Sequence, residues 1–218
     1  MNQDQIAAPL EQMGRIMLIR HGRTAENKQS YVGWKDIPLS PAGVEQARAV
    51  AVRLAEERID AVYSSPLSRA LATACPLAEQ RGLSVRVRDA LREIDYGQYQ
   101  GMLKSERKLR LKEQHLFLPL PGGESLFDVY QRVERLLREL YADLIAARHL
   151  AIVGHFWSNR MLVGAISQLP FTEIFSRSGY RPETGSMFEI AYRVDADQAI
   201  QVVTSGWMDE QSKRIARL

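Results

Sequence analysis

The sequence predicts an α/β fold: a mainly parallel sheet covered by helices on both faces. Three observations carry that expectation. Short apolar runs alternate with amphipathic stretches along most of the chain. Two of the runs, Ile16-Met17-Leu18-Ile19 and Leu150-Ala151-Ile152-Val153, are apolar at every position, as strands buried on both faces must be. Proline and glycine punctuate the stretches between them where helices should start and stop.

The elements follow in order. Ile16–Ile19 is the first strand. Ser40-Pro41 then opens a helix, with serine as N-cap and proline in the first turn. Val44, Ala47, Ala51 and Leu54 share a face of that helix, which is expected to end near Arg58. Ile59 to Tyr63 reads as the second strand. Ser64-Ser65-Pro66 repeats the cap-plus-proline signal and opens a helix through about Gln80. Gly82 closes it, and Leu83, Val85 and Val87 alternate with polar residues as a third strand. The clearest helix spans Ser125 to about Ala147, where Leu126, Val129, Val133, Leu136, Leu140 and Leu144 recur at three- and four-residue steps. Leu150–Gly154 is a further buried strand, followed by a helix from about Ser158 to Ser167. Met187–Tyr192 and Ile200–Thr204 read as two more strands, joined as a hairpin across Asp195-Ala196-Asp197.

Composition narrows the class. The chain has 218 residues, 45% of them hydrophobic and 25% charged, enough for one full core. Residues 1–15 read as a flexible N-terminal extension and 16–218 as a single domain. The formal charge of +3 suits anionic substrates. Lys and Arg are scattered among 26 acidic residues rather than gathered in a stripe, which argues against nucleic acid as a partner. Cys75 is the only cysteine, so neither an intramolecular disulfide nor a CxxC metal site exists. No apolar run approaches the eighteen or so residues of a membrane helix, and residues 1–15 hold no signal-peptide core. No membrane partner and a cytoplasmic location are the resulting expectations, with a homodimer as the commonest form of assembly.

In such sheets ligands bind beyond the carboxyl ends of the strands, and the polar residues there form a set. The first strand delivers Arg20-His21-Gly22-Arg23-Thr24, with Asn27 close behind. Guanidinium groups beside His21 disfavour its protonated form, and an unprotonated imidazole among cations can attack an anionic group such as a phosphoryl. The second strand delivers Arg69 in the first turn of a helix, whose N-terminus favours an anion. The Leu150–Gly154 strand ends on His155. After the third strand, Glu93 and Asp95 supply carboxylates, and the residue types alone leave them level. Two histidines, several arginines and a carboxylate suffice for phosphoryl transfer without a metal: a nucleophile, charge neutralisation and an acid for the leaving oxygen. Gly22 with Lys28 does not make a P-loop, because Asn27-Lys28-Gln29 lacks the Gly-Lys-Ser/Thr it requires. His115 and His149 lack supporting context and read as structural.

Five blocks carry a resemblance: Arg20-His21-Gly22-x-Thr24-x-x-Asn27, Ser64-Ser65-Pro66-x-x-Arg69-Ala70-x-x-Thr73-Ala74, Leu91-x-Glu93-x-x-x-Gly97, Pro121-Gly122-Gly123-Glu124-Ser125 and Gly154-His155. In this order they resemble the histidine phosphatase superfamily, the group that includes the cofactor-dependent phosphoglycerate mutases. The resemblance implies a phosphoglycerate-mutase-like three-layer α/β/α sandwich. It implies His21 as the phosphorylated residue, Glu93 as general acid and base, and Arg20, Arg69 and His155 as the phosphate pocket. Asn27 would add a polar contact. Thr24, Arg23 and Phe156 are taken as substrate-binding candidates by their places beside these motifs, with Arg23 alternatively a solvated neighbour at a position the family leaves variable. The resemblance implies no metal and no cofactor, and a small phosphorylated substrate.

The family usually has glycine after the second histidine. Here Phe156 follows His155, which either narrows the site toward apolar groups, weakens activity, or turns harmlessly into the core. Arg160 still matches a common family arginine. The short Asp95–Leu120 stretch between Glu93 and the Pro-Gly-Gly block resembles the compact phosphatase branch rather than the mutases. Its Lys104, Arg107, Lys108, Arg110 and Lys112, mixed with Glu106 and Glu113, read first as a solvated helix face. The alternative is that residues 95–124 form a lid whose cations meet a second anionic group. A metal-independent phosphomonoester phosphatase is the leading expectation. The alternatives are a mutase-type phosphotransferase and a catalytically weak binder of phosphorylated ligands.

Overall fold

The computed structural model describes residues 14–26, 29–109, 111, 115–147, 149–177, 180–194 and 200–208. Of the sequence expectations, most of the N-terminal extension, Asn27, the basic residues Arg110 and Lys112, and the Asp195-Ala196-Asp197 turn lie outside these residues.

Six strands form one sheet: β1 (Gly14–Arg20), β2 (Ala61–Ser64), β3 (Val85–Val87), β4 (His149–Gly154), β5 (Met187–Val194) and β6 (Ile200–Trp207), in the order β3-β2-β4-β1-β5-β6. The first four are parallel, and β5 and β6 add an antiparallel edge. The helices are α1 (Pro41–Arg53), α2 (Ser68–Glu79), α3 (Leu126–Ala147), α4 (Phe156–Ile166) and the short α5 (Ile174–Arg177). Single 3₁₀ turns occur at Asp89–Leu91, Gly97–Tyr99 and Phe171–Glu173.

The apolar runs explain the layers. Successive side chains of β1 point to opposite faces. Ile16 and Leu18 join a core with α3, α4 and β5, whereas Met17 and Ile19 join a second core with α1 and α2. All four are fully buried, each worth about 1.5–3 kcal/mol of transfer from water. The result is the expected three-layer α/β/α sandwich. Because α1 leaves β1 toward one face and α4 leaves β4 toward the other, the chain parts at the carboxyl ends of these adjacent strands. That crevice is where sheets of this kind bind ligands.

Three local expectations need correction. Helix α1 begins as expected, with Ser40 Oγ accepting the Gly43 N–H at 3.2 Å. It ends at Arg53 rather than Arg58, and it buries Gly43, Ala47, Val50 and Ala51, leaving Val44 37% exposed. Helix α2 starts at Ser68 with Leu67 as N-cap, because Ser65 and Pro66 are spent on the turn out of β2. Helix α4 starts two residues early, with His155 itself as N-cap.

Candidate active site

Hydrogen-bond register brings the strand ends together. Arg20 of β1 pairs with Gly154 of β4, and the His21 N–H donates to the Gly154 carbonyl at 3.0 Å. On the other side of β4, the Ser65 N–H donates to the Val153 carbonyl at 3.0 Å. His21 and His155 therefore lie side by side, with ring centroids 4.9 Å apart.

His21 Nδ1 is 2.7 Å from the Gly22 carbonyl oxygen. A carbonyl can only accept, so Nδ1 carries the ring proton and the lone pair resides on Nε2. Burial holds the imidazole well below its ordinary pKa of 6.5, and the Arg69 and Arg20 guanidiniums push it lower still. The ring is neutral at physiological pH. Gly22 is required by space, since a Cβ there would sit 2.5 Å from the Gly43 carbonyl oxygen of α1. The Gly22 N–H donates to Thr73 Oγ1 at 3.0 Å, and that hydroxyl donates to the Arg69 carbonyl at 2.7 Å. Thr73 thus ties the histidine turn to the helix that carries Arg69.

The arginines are anchored by carbonyls. Arg69 donates to Gly33 at 2.7 Å and Lys35 at 2.9 Å. Burial lowers its pKa to about 10, against the opposing pull of Glu93 and Asp36, so it remains charged. Arg20 donates to the Pro182 carbonyl at 2.8 Å, while its Nε is buried with no partner among the described residues. Its guanidinium carbon lies 5.6 Å from the centre of the Phe156 ring.

Glu93 is buried and clamped by backbone. Oε1 accepts the Trp157 N–H at 2.9 Å and the Ile94 N–H at 3.0 Å, and Oε2 accepts the Phe156 N–H at 3.1 Å. The carboxylate therefore caps the N-terminus of α4, where free N–H groups and the helix dipole favour an anion. Asp95 is engaged elsewhere: its Oδ1 accepts the Gly97 N–H at 2.8 Å, within its own turn. The two carboxylates that the residue types left level are separated here, because Glu93 lines the cavity and Asp95 does not.

That cavity has a volume of 610 Å³ and is lined by Arg20, His21, Arg69 and Glu93, with Arg23, Tyr31, Tyr96, Lys104, Leu111, Phe156, Trp157 and Glu183 around them. His155 is fully buried beside His21 and lies outside the lining. Thr24 is likewise buried and outside it. Phe156 is the first residue of α4, and Gln168 is the one described non-glycine residue with positive φ, so position 156 makes no demand for glycine. The ring stands at the cavity edge, not in the core. Arg160 is structural: it donates to the carbonyls of Tyr180 and Phe175, both at 3.0 Å.

Residues 101–109 form no helix, contrary to the solvated-helix expectation. They are pinned to the 29–31 segment by a Ser30–Leu103 bridge and by Gly101 N–H to Tyr31 carbonyl at 2.8 Å, which brings Lys104 into the lining.

Several residues escaped the sequence reading. Ser65 Oγ is 2.8 Å from His155 Nε2 and also accepts the Leu67 N–H at 3.3 Å, so it orients the second histidine. Its Ser-Ser-Pro context reads only as a helix cap. Arg132 and Trp34 hold the backbone of Glu93, and Arg132 reads as a polar position on an amphipathic helix. Glu124 was visible only as part of the Pro-Gly-Gly block. Its carboxylate accepts the Asp95 N–H at 2.9 Å, and Gly97 takes φ +51° where a side chain would collide with residues 121–123. That block is a support for the loop from Glu93 to Gly97. No cluster of three or more His, Cys, Asp or Glu side chains suited to a metal ion occurs among the described residues.

A neutral, buried histidine near two guanidiniums, with a carboxyl group on the same cavity, is chemically equipped to accept a phosphoryl group and to relay a proton at the leaving oxygen. The fold and the site thus define an α/β protein whose sheet switch point carries a cavity lined by His21, Arg20, Arg69 and Glu93, with His155 packed beside His21. The chain belongs to the histidine phosphatase superfamily, branch 1, whose family model matches residues 16–201. Among its relatives, phosphoserine phosphatase 1 of Hydrogenobacter thermophilus is 33% identical over 177 residues, covering 75% of this chain and 81% of that protein. The 2,3-bisphosphoglycerate-dependent phosphoglycerate mutase of a Methylobacterium species is 32% identical over 200 residues, covering 85% of this chain and 94% of the mutase. The solved structure of mycobacterial glucosyl-3-phosphoglycerate phosphatase superposes with a TM-score of 0.75 at 28% identity, covering 88% of this chain and 97% of that one.

Proposed function

We propose that this protein is a metal-independent phosphomonoester phosphatase that acts on a small phosphorylated metabolite through a phosphohistidine on His21. The observation that carries the reading is the His21 ring: buried, proton on Nδ1, lone pair on Nε2, between Arg20 and Arg69. Nε2 attacks phosphorus as the ester P–O bond breaks, and the arginines offset charge on the phosphoryl oxygens. The proton for the departing alkoxide enters with the substrate as its phosphate monoanion and passes through the Glu93 carboxylate to the leaving oxygen. The same carboxylate then takes a proton from water as that water attacks phosphorus, the N–P bond breaks, and phosphate leaves. His155, held by Ser65 behind the cavity wall, packs against the His21 ring and keeps it in place. Lys104 and Leu111 wall one side of the cavity, and Phe156 narrows it toward apolar or aromatic alcohol groups.

A mutase is the second reading, favoured by the similarity to several phosphoglycerate mutases at 29–32% identity. Beyond the histidine site the lining combines Tyr31, Tyr96, Leu111, Phe156 and Trp157 with the cations Arg23 and Lys104, so the aromatic share favours a phosphatase acting on an apolar alcohol group while the cations suit a second anion. The test is phosphate release from p-nitrophenyl phosphate with EDTA present. Release is expected from the wild type and not from His21→Ala, with an acid-labile phosphoenzyme trapped only in the former. Full activity in His21→Ala refutes the mechanism, and strict metal dependence refutes the class. Phosphoryl transfer between phosphoglycerates without net release, given a bisphosphorylated primer, establishes the mutase instead.

A further inference from the structure

We infer that Arg132 of α3 is a positioning residue for Glu93, an inference that rests on the reading of Glu93 as general acid. The carboxylate of Glu93 is held at the α4 N-terminus, but a side chain is only as well placed as the backbone that bears it. Arg132 secures that backbone. Its Nη1 donates to the Ala90 carbonyl at 2.5 Å and its Nη2 to the Glu93 carbonyl at 2.9 Å. Its Nε and Nη2 also donate to the two Glu124 oxygens, at 2.9 and 3.1 Å. Glu124 in turn accepts the Asp95 N–H at 2.9 Å and returns its own N–H to the Asp95 carbonyl at 3.0 Å. One guanidinium therefore fixes the acid loop at residues 90, 93 and 95. The second lone pair of the Glu93 carbonyl takes the Trp34 Nε1–H at 2.7 Å. This use of a planar fork explains arginine over lysine, whose ammonium is a point donor that cannot span two carbonyls and a carboxylate in one plane.

A residue that merely stabilised the fold would lower the fraction of active enzyme, and kcat/KM would drop equally for every substrate. A residue that positions the acid affects only reactions whose leaving oxygen needs a proton. Proton transfer requires hydrogen-bond reach, and a displacement of about 1 Å costs about a hundredfold.

The experiment measures kcat/KM across substituted phenyl phosphates and an alkyl phosphate, so that leaving-group pKa is the variable. For Arg132→Met the expected loss is about 10- to 100-fold with the alkyl phosphate and under about threefold with p-nitrophenyl phosphate. Trp34→Phe keeps the ring and deletes one hydrogen bond to the same carbonyl. It should show the same pattern at about three- to tenfold. It also decides the matter if Arg132→Met does not fold. Parallel losses for all substrates, or no loss in a folded Trp34→Phe, overturn the proposal. Glu93→Gln in the same series separates the two levels. A flat response there removes the acid reading itself, whereas a steep response there with a flat Arg132→Met removes only the positioning role.

Discussion

Lowering the pH from 7.5 to 5.5 should destabilise this protein through its two buried histidines. His21 and His155 are both held well below the ordinary imidazole value of 6.5, by burial first and by Arg69 and other neighbouring groups after it. In the unfolded chain both rings titrate near 6.5, so below that pH the unfolded state binds protons that the folded state refuses. Stability then rises with pH and is lost as pH falls from 6.5 toward the folded values. Each group contributes at most about 1.4 kcal/mol per pH unit, which gives a ceiling of about 2.7 kcal/mol for two groups over the unit below 6.5. Against a typical total of about 5–15 kcal/mol that is a large fraction. The assay is urea unfolding at pH 7.5, 6.5 and 5.5 for the wild type, each His→Gln variant and the double variant. Each single variant should remove about half of the pH-dependent loss, and the double variant should keep only what His149 and the rest of the chain contribute. An unchanged pH slope in the double variant would refute the reasoning.

Two further outcomes follow from particular contacts. Ser65→Ala strips buried partners from His155 Nε2 and the Leu67 N–H. Urea unfolding should show about 1–3 kcal/mol of destabilisation, and kcat/KM should fall on the order of tenfold whatever the leaving group. A loss confined to poor leaving groups would instead place Ser65 with the acid machinery. Phe156→Ala should lower kcat/KM for naphthyl phosphate about tenfold and leave glycerol phosphate within about threefold, because the ring meets only the substrate's alcohol portion. Equal losses for the two substrates would mean that the ring acts through Arg20.

The legible part of this protein was the part governed by local chemistry. Runs such as Ile16–Ile19 must be buried on both faces, and the strand ends follow directly from them. His21, Arg69, Glu93 and His155 stood in ordered motifs, and the structure brings them to one sheet edge. What was not legible depends on partners distant in sequence. Ser65 meets a histidine 90 residues away, and Arg132 meets a carbonyl 39 residues away. Nothing local distinguishes such a serine from a helix cap, or such an arginine from a solvated one. Val44 failed for a related reason. The face of α1 that turns inward is set by the close approach of Gly43 to the Gly22–Arg23 turn, which hydrophobic spacing does not encode.

The Glu93 clamp on α4 has a consequence for how the family can diversify. Position 156 contributes its amide to the acid and its side chain to the cavity rim. These two duties are separable, since any amino acid but proline supplies the N–H. Residue 156 can therefore vary between glycine and a bulky aromatic ring while the acid keeps its hydrogen bond. On the function proposed above, substrate choice can drift at this position without the chemistry having to be rebuilt.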